Sequence, residues 1–284
     1  MIKTKLPIKV VPPELTVFEK LAGISGIRRY PLRSKYNISR PISLQHSLPI
    51  DAIKESVLEI LQNNQPAGWL SKSGNDNSYA GVSMVYNPTF GENDKIHQTL
   101  GSDTNDKTEF FYNQTEHLTI KKNTYFDSYS FRKISPAMTG AVLDLMKEFR
   151  FSPIRSRIAI VDANYYNEKT ADTFGWHRDE KVFENLRINI PITTDPDCLF
   201  QMENTEPEFL EYGNIYSWDT NLPHRVFATK KKDFQRIHIV LGFSPWFDYI
   251  EEEDAWITND FFGKKHPLDM LIDGDFHPLI KGIK

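Results

Sequence analysis

Apolar residues recur along this chain with two different periods. Between Asp51 and Asn63, the residues Ile53, Val57, Ile60 and Leu61 fall at helical spacing, with Asp51 a candidate N-cap for an amphipathic helix. Ser135-Pro136 predicts the start of a second helix, because serine caps well and proline suits the first helical position. Val142, Leu145, Met146 and Phe149 form its apolar stripe. From Arg155 onward the period changes to two. Ile158 and Ile160 alternate with Arg157, Ala159 and Val161; Leu186, Ile188, Ile190 and Ile192 alternate with Arg187, Asn189 and Pro191. Ile237, Ile239, Leu241 and Phe243 alternate with Arg236, His238, Val240 and Gly242. Strict alternation marks strands with two unlike faces. Two helices ahead of a run of such strands predict a mainly β fold with flanking helices, a double-sheet, cupin-like jelly roll.

The rest of the chain is less regular. Residues 1–50 are proline-spotted and are expected to wrap the surface or add edge strands. Residues 71–122 are rich in Asn, Asp, Gly, Ser and Thr and read as exposed loops with one or two short strands, such as Tyr79–Tyr86. The length of 284 residues suits one large domain. Within it, 1–124 form a helix-and-loop region, 125–245 the jelly-roll core and 246–284 a C-terminal extension.

Composition narrows the classes. A hydrophobic content of 39%, a charged content of 25% and a net charge of -4 describe an ordinary globular protein with no basic field for nucleic acid. Lys230-Lys231-Lys232 reads as a solvated turn between strands. A single cysteine, Cys198, forms no internal disulfide and reads as a small buried hydrophobe. Met1 to Pro7 lacks the apolar core of a signal peptide, and nothing approaches the roughly 20 apolar residues of a membrane span. The expectation is a cytoplasmic protein with no membrane partner.

The chemistry concentrates in three segments: Trp176-His177-Arg178-Asp179, Leu222-Pro-His224 and Gln235-Arg236-Ile-His238. Two imidazoles and one carboxylate hold one face of a ferrous ion and leave the remaining positions for a chelating co-substrate and dioxygen. Residues i and i+2 on a strand share a face, so His177 and Asp179 point the same way if that segment is extended. His224 is the third candidate ligand. His238 is an alternative ligand, otherwise a residue of the pocket wall. Arg236 shares the non-aliphatic face of its strand with His238. Arg187 and Asn189 likewise oppose isoleucines. A charge facing a barrel interior is costly unless paired, and a dicarboxylate pairs it. Arg236 is the expected anchor, with Arg187 and Asn189 shaping the pocket. His46, His97, His117, His266 and His277 lack such context and read as surface residues.

These pieces, with Leu186-Arg187-Ile-Asn189-Ile-Pro191 and Gly213-Asn-Ile-Tyr216-Ser-Trp218-Asp219, resemble the aspartyl/asparaginyl β-hydroxylase-like branch of the 2-oxoglutarate oxygenases, which includes free-proline hydroxylases. The resemblance covers roughly residues 125–245. It implies a double-stranded β-helix, with His177, Asp179 and His224 as Fe(II) ligands and Arg236 as the 2-oxoglutarate anchor. Arg187 would be a second position near the co-substrate. Some members have glycine where Asp179 stands, so the full triad here is closer to the proline-hydroxylase type of site. The implied activity is a dioxygenase: O2 and 2-oxoglutarate are consumed, succinate and carbon dioxide are released, and an unactivated carbon of a free or peptidyl amino acid is hydroxylated. Arg225, Trp176 and Trp218 are candidate substrate contacts.

Other readings remain open at this stage. The same iron chemistry fits a secondary metabolite or a nucleobase, and a cupin-like metal-binding module explains the triad without catalysis. A phosphotransferase is disfavoured, because no glycine-rich loop precedes His177-Arg178-Asp179 and Asp233-Phe234 is followed by Gln235.

Overall fold

The computed structural model describes residues 9–10, 32–36, 40–71, 74–88, 128–166, 174–253 and 255–284. Its early elements are strands β1 (Lys9–Val10) and β2 (Ile42–His46), helix α1 (Ile50–Asn63), strands β3 (Ala67–Ser71), β4 (Gly74–Ser83), β5 (Val85–Tyr86) and β6 (Lys133–Ile134), and helix α2 (Gly140–Glu148). The central strands are β7 (Pro153–Asp162), β8 (Phe174–His177), β9 (Leu186–Thr193), β10 (Cys198–Met202), β11 (Ile215–Ser217), β12 (His224–Ala228) and β13 (Gln235–Phe243). Strands β14 (Phe247–Ile250) and β15 (Ala255–Thr258), helix α3 (Pro267–Asp273) and strand β16 (Ile280–Ile283) complete the chain.

Two sheets carry the fold. The large one runs β16-β2-β11-β9-β13-β7-β4-β3, and the small one runs β10-β12-β8. A bridge between Phe200 and Glu208 adds a further short rung to the small sheet. From β7 to β13 the chain passes repeatedly from one sheet to the other, which is the winding of a jelly roll. The architecture is thus mainly β with flanking helices, as the alternating pattern predicts.

The alternation also sorts the side chains. Ile188, Ile190, Ile239 and Leu241 are fully buried in the main apolar cluster, together with Ile53 and Val57 of α1 and Val142 and Leu145 of α2. The helices therefore cover the outer face of the large sheet. Arg187, Asn189, Arg236 and His238 are buried too, but on the face toward the small sheet. One face of this sheet packs on hydrocarbon, and the other looks across a cavity toward the small sheet.

Several local expectations change. Helix α1 starts at Ile50 with Pro49 at its N-cap, and Asp51 lies in the first turn, where its charge suits the helix dipole. Helix α2 starts at Gly140, not after Ser135. The Ser135 hydroxyl instead accepts from the Ala137 N–H at 3.3 Å within a turn. Gly140 has φ +54, and a Cβ there would lie 2.6 Å from the Ser56 hydroxyl, so the glycine lets α2 begin tight against α1. The polar stretch after residue 71 supplies the ten-residue strand β4, held between β3 and β7. Sheet pairing overrides its weak strand propensity. Residues 89–127 lie outside the described residues, as do His97 and His117.

His266 and His277 are buried, not on the surface. Nδ1 of His266 accepts from the Leu268 N–H and caps α3, and His277 meets Glu148 at 3.2 Å. His46 is half-buried against the Gly213 carbonyl. The C-terminal segment is integral: Trp246, Phe247, Trp256 and Phe276 are fully buried, and β16 pairs with β2 in the large sheet. The lysine run is the β12–β13 turn, where Lys230 pairs with Asp197, and Lys232 with Asp195 and Asp197. Cys198 is buried, and burial pushes its thiol up to about 11.

Candidate metal centre and its cavity

The antiparallel pairing of β8 with β12 sets His177 directly opposite His224. Directly opposed residues share a face, so the two imidazoles meet, with ring centroids 4.4 Å apart. The turn before β12 is stabilised by Asp219, whose side chain accepts from the Asn221 N–H and whose carbonyl accepts from the Leu222 N–H, each at 3.0 Å. Asp179 lies just beyond the end of β8. Its N–H donates to the Thr220 carbonyl at 2.9 Å, and the Thr220 hydroxyl donates to the Glu180 carbonyl at 2.7 Å. These two bonds pin the segment after His177 to the segment before His224. Ligand atoms of His177, Asp179 and His224 all lie within 4.8 Å of one another.

The rings are also set in a defined tautomer. Nδ1 of His177 lies 2.9 Å from the Gly175 carbonyl, and Nδ1 of His224 lies 2.9 Å from the Leu222 carbonyl. A carbonyl only accepts, so each Nδ1 carries a proton and each Nε2 is the nitrogen left for a metal. Nε2 of His224 is 3.5 Å from the Asp179 carboxylate. Burial lowers the pKa of His177 and favours the neutral ring. Burial pushes the Asp179 carboxyl up, but Arg187 and the two imidazoles more than offset it and hold it well below the usual range. Two imidazoles and an ionised carboxylate fit a divalent first-row cation such as Fe(II).

The triad opens into a cavity whose other lining residues include Arg187, Asn189, Trp218, Arg236 and His238. Arg187 pairs through Nη1 with Asp179 and through Nη2 with Glu180. It is therefore engaged by the protein's own carboxylates. Arg236 differs. Its Nη2 lies 3.2 Å from Nδ1 of His238, and no carboxylate among the described residues pairs with it. Burial pushes the Arg236 guanidinium down to about 10. Burial and then the Arg236 charge push His238 well below its usual range, so its ring is neutral. Guanidinium only donates, so Nδ1 of His238 accepts and the proton sits on Nε2. That Nε2, Nδ2 of Asn189 and Nε1 of Trp218 are buried without a hydrogen-bond partner among the described residues. This wall presents donors.

The candidate substrate contacts divide. Trp218 lines the cavity, its ring 5.9 Å from that of His224. Trp176 and Arg225 are not among the residues that line it. Each neighbours an inward histidine, so strand alternation turns both outward. Arg225 lies 4.8 Å over the Trp176 ring and binds Gln201 through Nε at 3.1 Å and Nη2 at 2.8 Å. The sequence reading also missed Glu180, Arg155, Arg157 and Tyr79. Arg157 alternates with buried isoleucines as Arg187 does, and that signal would have found it; its Nε donates to the Tyr79 hydroxyl at 2.8 Å. Nothing in the local sequence marks Arg155.

No protein-family model and no curated protein matches the chain. Among solved structures, it is similar to the non-heme alpha ketoglutarate dependent epimerase SnoN from nogalamycin biosynthesis, at 9% identity and a TM-score of 0.37, covering 72% of this chain and 76% of that one. So distant a likeness assigns no chemistry.

Proposed function

We propose that the protein is an Fe(II)- and 2-oxoglutarate-dependent dioxygenase that hydroxylates a free or peptidyl amino acid. The observation that carries this reading is the pairing of an inward-facing His177–Asp179–His224 cluster with a buried guanidinium, Arg236, in the same cavity. Ferrous iron, with 2-oxoglutarate and O2, supplies the oxidising power needed at an unactivated C–H bond.

In this reading His177 and His224 hold the metal through Nε2 and Asp179 through its carboxylate. Arg236 takes the distal carboxylate of 2-oxoglutarate as a charge-assisted fork, and His238 fixes the arginine from its other side. Asn189 and Nε2 of His238 donate to the co-substrate's oxygens. Phe200, Val226, Val240 and Trp218 line the cavity, exclude water and hold the aliphatic part of the substrate. With Arg225 turned outward, Arg157 is the cavity-lining guanidinium that faces a substrate carboxylate.

The test is anaerobic titration of the Fe(II)-loaded protein with 2-oxoglutarate, followed by admission of oxygen and assay of succinate. A visible charge-transfer band that vanishes in His224→Ala supports the assignment, and amino acids that stimulate succinate release identify the substrate class. Tight iron binding without any such band would favour a non-catalytic metal-binding module.

A further inference from the structure

The residue after the candidate ligand Asp179 is a second carboxylate, its side chain 14% exposed. Glu180 meets Nη1 of Arg155 at 3.1 Å, pairs with Nη2 of Arg187, and accepts from the Ser128 hydroxyl. Arg187 thus divides its fork between Asp179 and Glu180. Arg155 and Arg187 are each 4% exposed in their side chains. Both guanidiniums are removed from water and the two carboxylates largely so, and burial of charge is costly even when paired.

The backbone is bent to make this contact. Arg155 has φ +44, a left-handed conformation that disfavours a long side chain. The β7–β13 register breaks at the same place: Val240 pairs with Arg157, but Gly242 pairs with Ile154. A Cβ on Gly242 would lie 2.5 Å from the Ile154 carbonyl, so the glycine is what admits the bulge. None of this is needed for strand pairing, which a regular register would satisfy better. The strain turns Arg155 toward Glu180.

We propose that Glu180, held by Arg155, is a positioning residue for the metal centre. It draws one arm of the Arg187 fork away from Asp179, which keeps the Asp179 carboxylate oriented and leaves it enough negative charge to bind a divalent cation. The proposal rests on the metal-centre reading above, and two substitutions on this network carry opposite signs. Glu180→Gln leaves the Arg187 charge to Asp179 alone, and so opposes the cation. Arg155→Met leaves Glu180 to Arg187 alone, and so releases Asp179.

The experiment uses the full chain and Co(II) without co-substrate, reading affinity by titration and ligand geometry by the visible d–d spectrum. Binding by the wild-type chain and its loss in His177→Ala are measured first; if the wild-type chain binds no Co(II), the metal-centre reading falls and the proposal with it. Given wild-type binding, Glu180→Gln is expected to weaken Co(II) about 10- to 100-fold and to change the spectrum. Arg155→Met is expected to bind Co(II) as tightly as wild type or more tightly. Unchanged affinity and spectrum in Glu180→Gln would overturn the proposal while sparing the metal centre. So would equal weakening in both variants, which is what a purely structural cluster produces. If Glu180→Gln does not fold, Arg155→Met alone decides: weaker binding overturns the proposal, and equal or tighter binding supports it.

Discussion

Two arginines face the same cavity and are satisfied in opposite ways. Arg187 is gripped by two carboxylates of its own chain, Asp179 and Glu180. Among the described residues, Arg236 is held by the neutral ring of His238 and by no carboxylate. Both look alike in sequence: an arginine opposite isoleucines on a two-faced strand. The difference teaches that an inward charge marks a ligand only when the fold leaves it without a counter-ion. At Arg187 the balance is closed internally, and the residue holds the Asp179 carboxylate. At Arg236 it is open among the described residues, and the proposed co-substrate carboxylate is what would close it.

Removing each arginine separates these roles. Arg187→Met strips Asp179 of its guanidinium and leaves Glu180 to Arg155 and Ser128, and is expected to destabilise the fold by about 3–5 kcal/mol, measured by denaturant unfolding. A loss below about 1 kcal/mol would show that the pair is not closed as described. Arg236→Met removes a buried charge that lacks a carboxylate, so it should leave stability unchanged or raise it. Its cost falls on binding: anaerobic affinity for 2-oxoglutarate should drop by about 2–5 kcal/mol. Unaltered affinity would remove the anchor from Arg236.

Acid probes the closed end. Burial pushes the Glu180 carboxyl up, but Arg187 and Arg155 outweigh it and hold it near about 2, below its ordinary 4.5. A carboxyl depressed in the folded state binds fewer protons there than in the unfolded chain, so its stabilisation is present above about 4.5 and is lost as pH falls toward about 2. Acid unfolding curves of wild type and Glu180→Gln should therefore converge across that window. Parallel curves would argue against the pairing. The smallest effect belongs to the outer face. Arg225→Ala should lose no more than about 1 kcal/mol of stability through its stacking on Trp176, and should leave affinity for the metal and for 2-oxoglutarate unchanged.

The alternating strands were legible because burial on one face and polarity on the other leave a period of two in the residues themselves. The same period brought Arg187, Asn189, Arg236 and His238 to the cavity side from sequence alone. Helix starts were less legible. Ser135-Pro136 has the composition of an N-terminus, yet α2 begins at Gly140, because close contact with Ser56 sets the start. His266 and His277 gave no signal of burial, since their partners, the Leu268 N–H and Glu148, are fixed by how α3 and the chain after it pack.

What this sequence determines by itself is which side chains share a face, because strand geometry turns chain position directly into direction. What only the tertiary structure decides is which faces meet. The register that sets His177 against His224, the bulge that turns Arg155 to Glu180, and the outward direction of Trp176 and Arg225 all depend on pairings between distant segments. Charge balance follows the same rule: Coulomb interactions act through space, so which arginine is neutralised depends on neighbours brought near by folding.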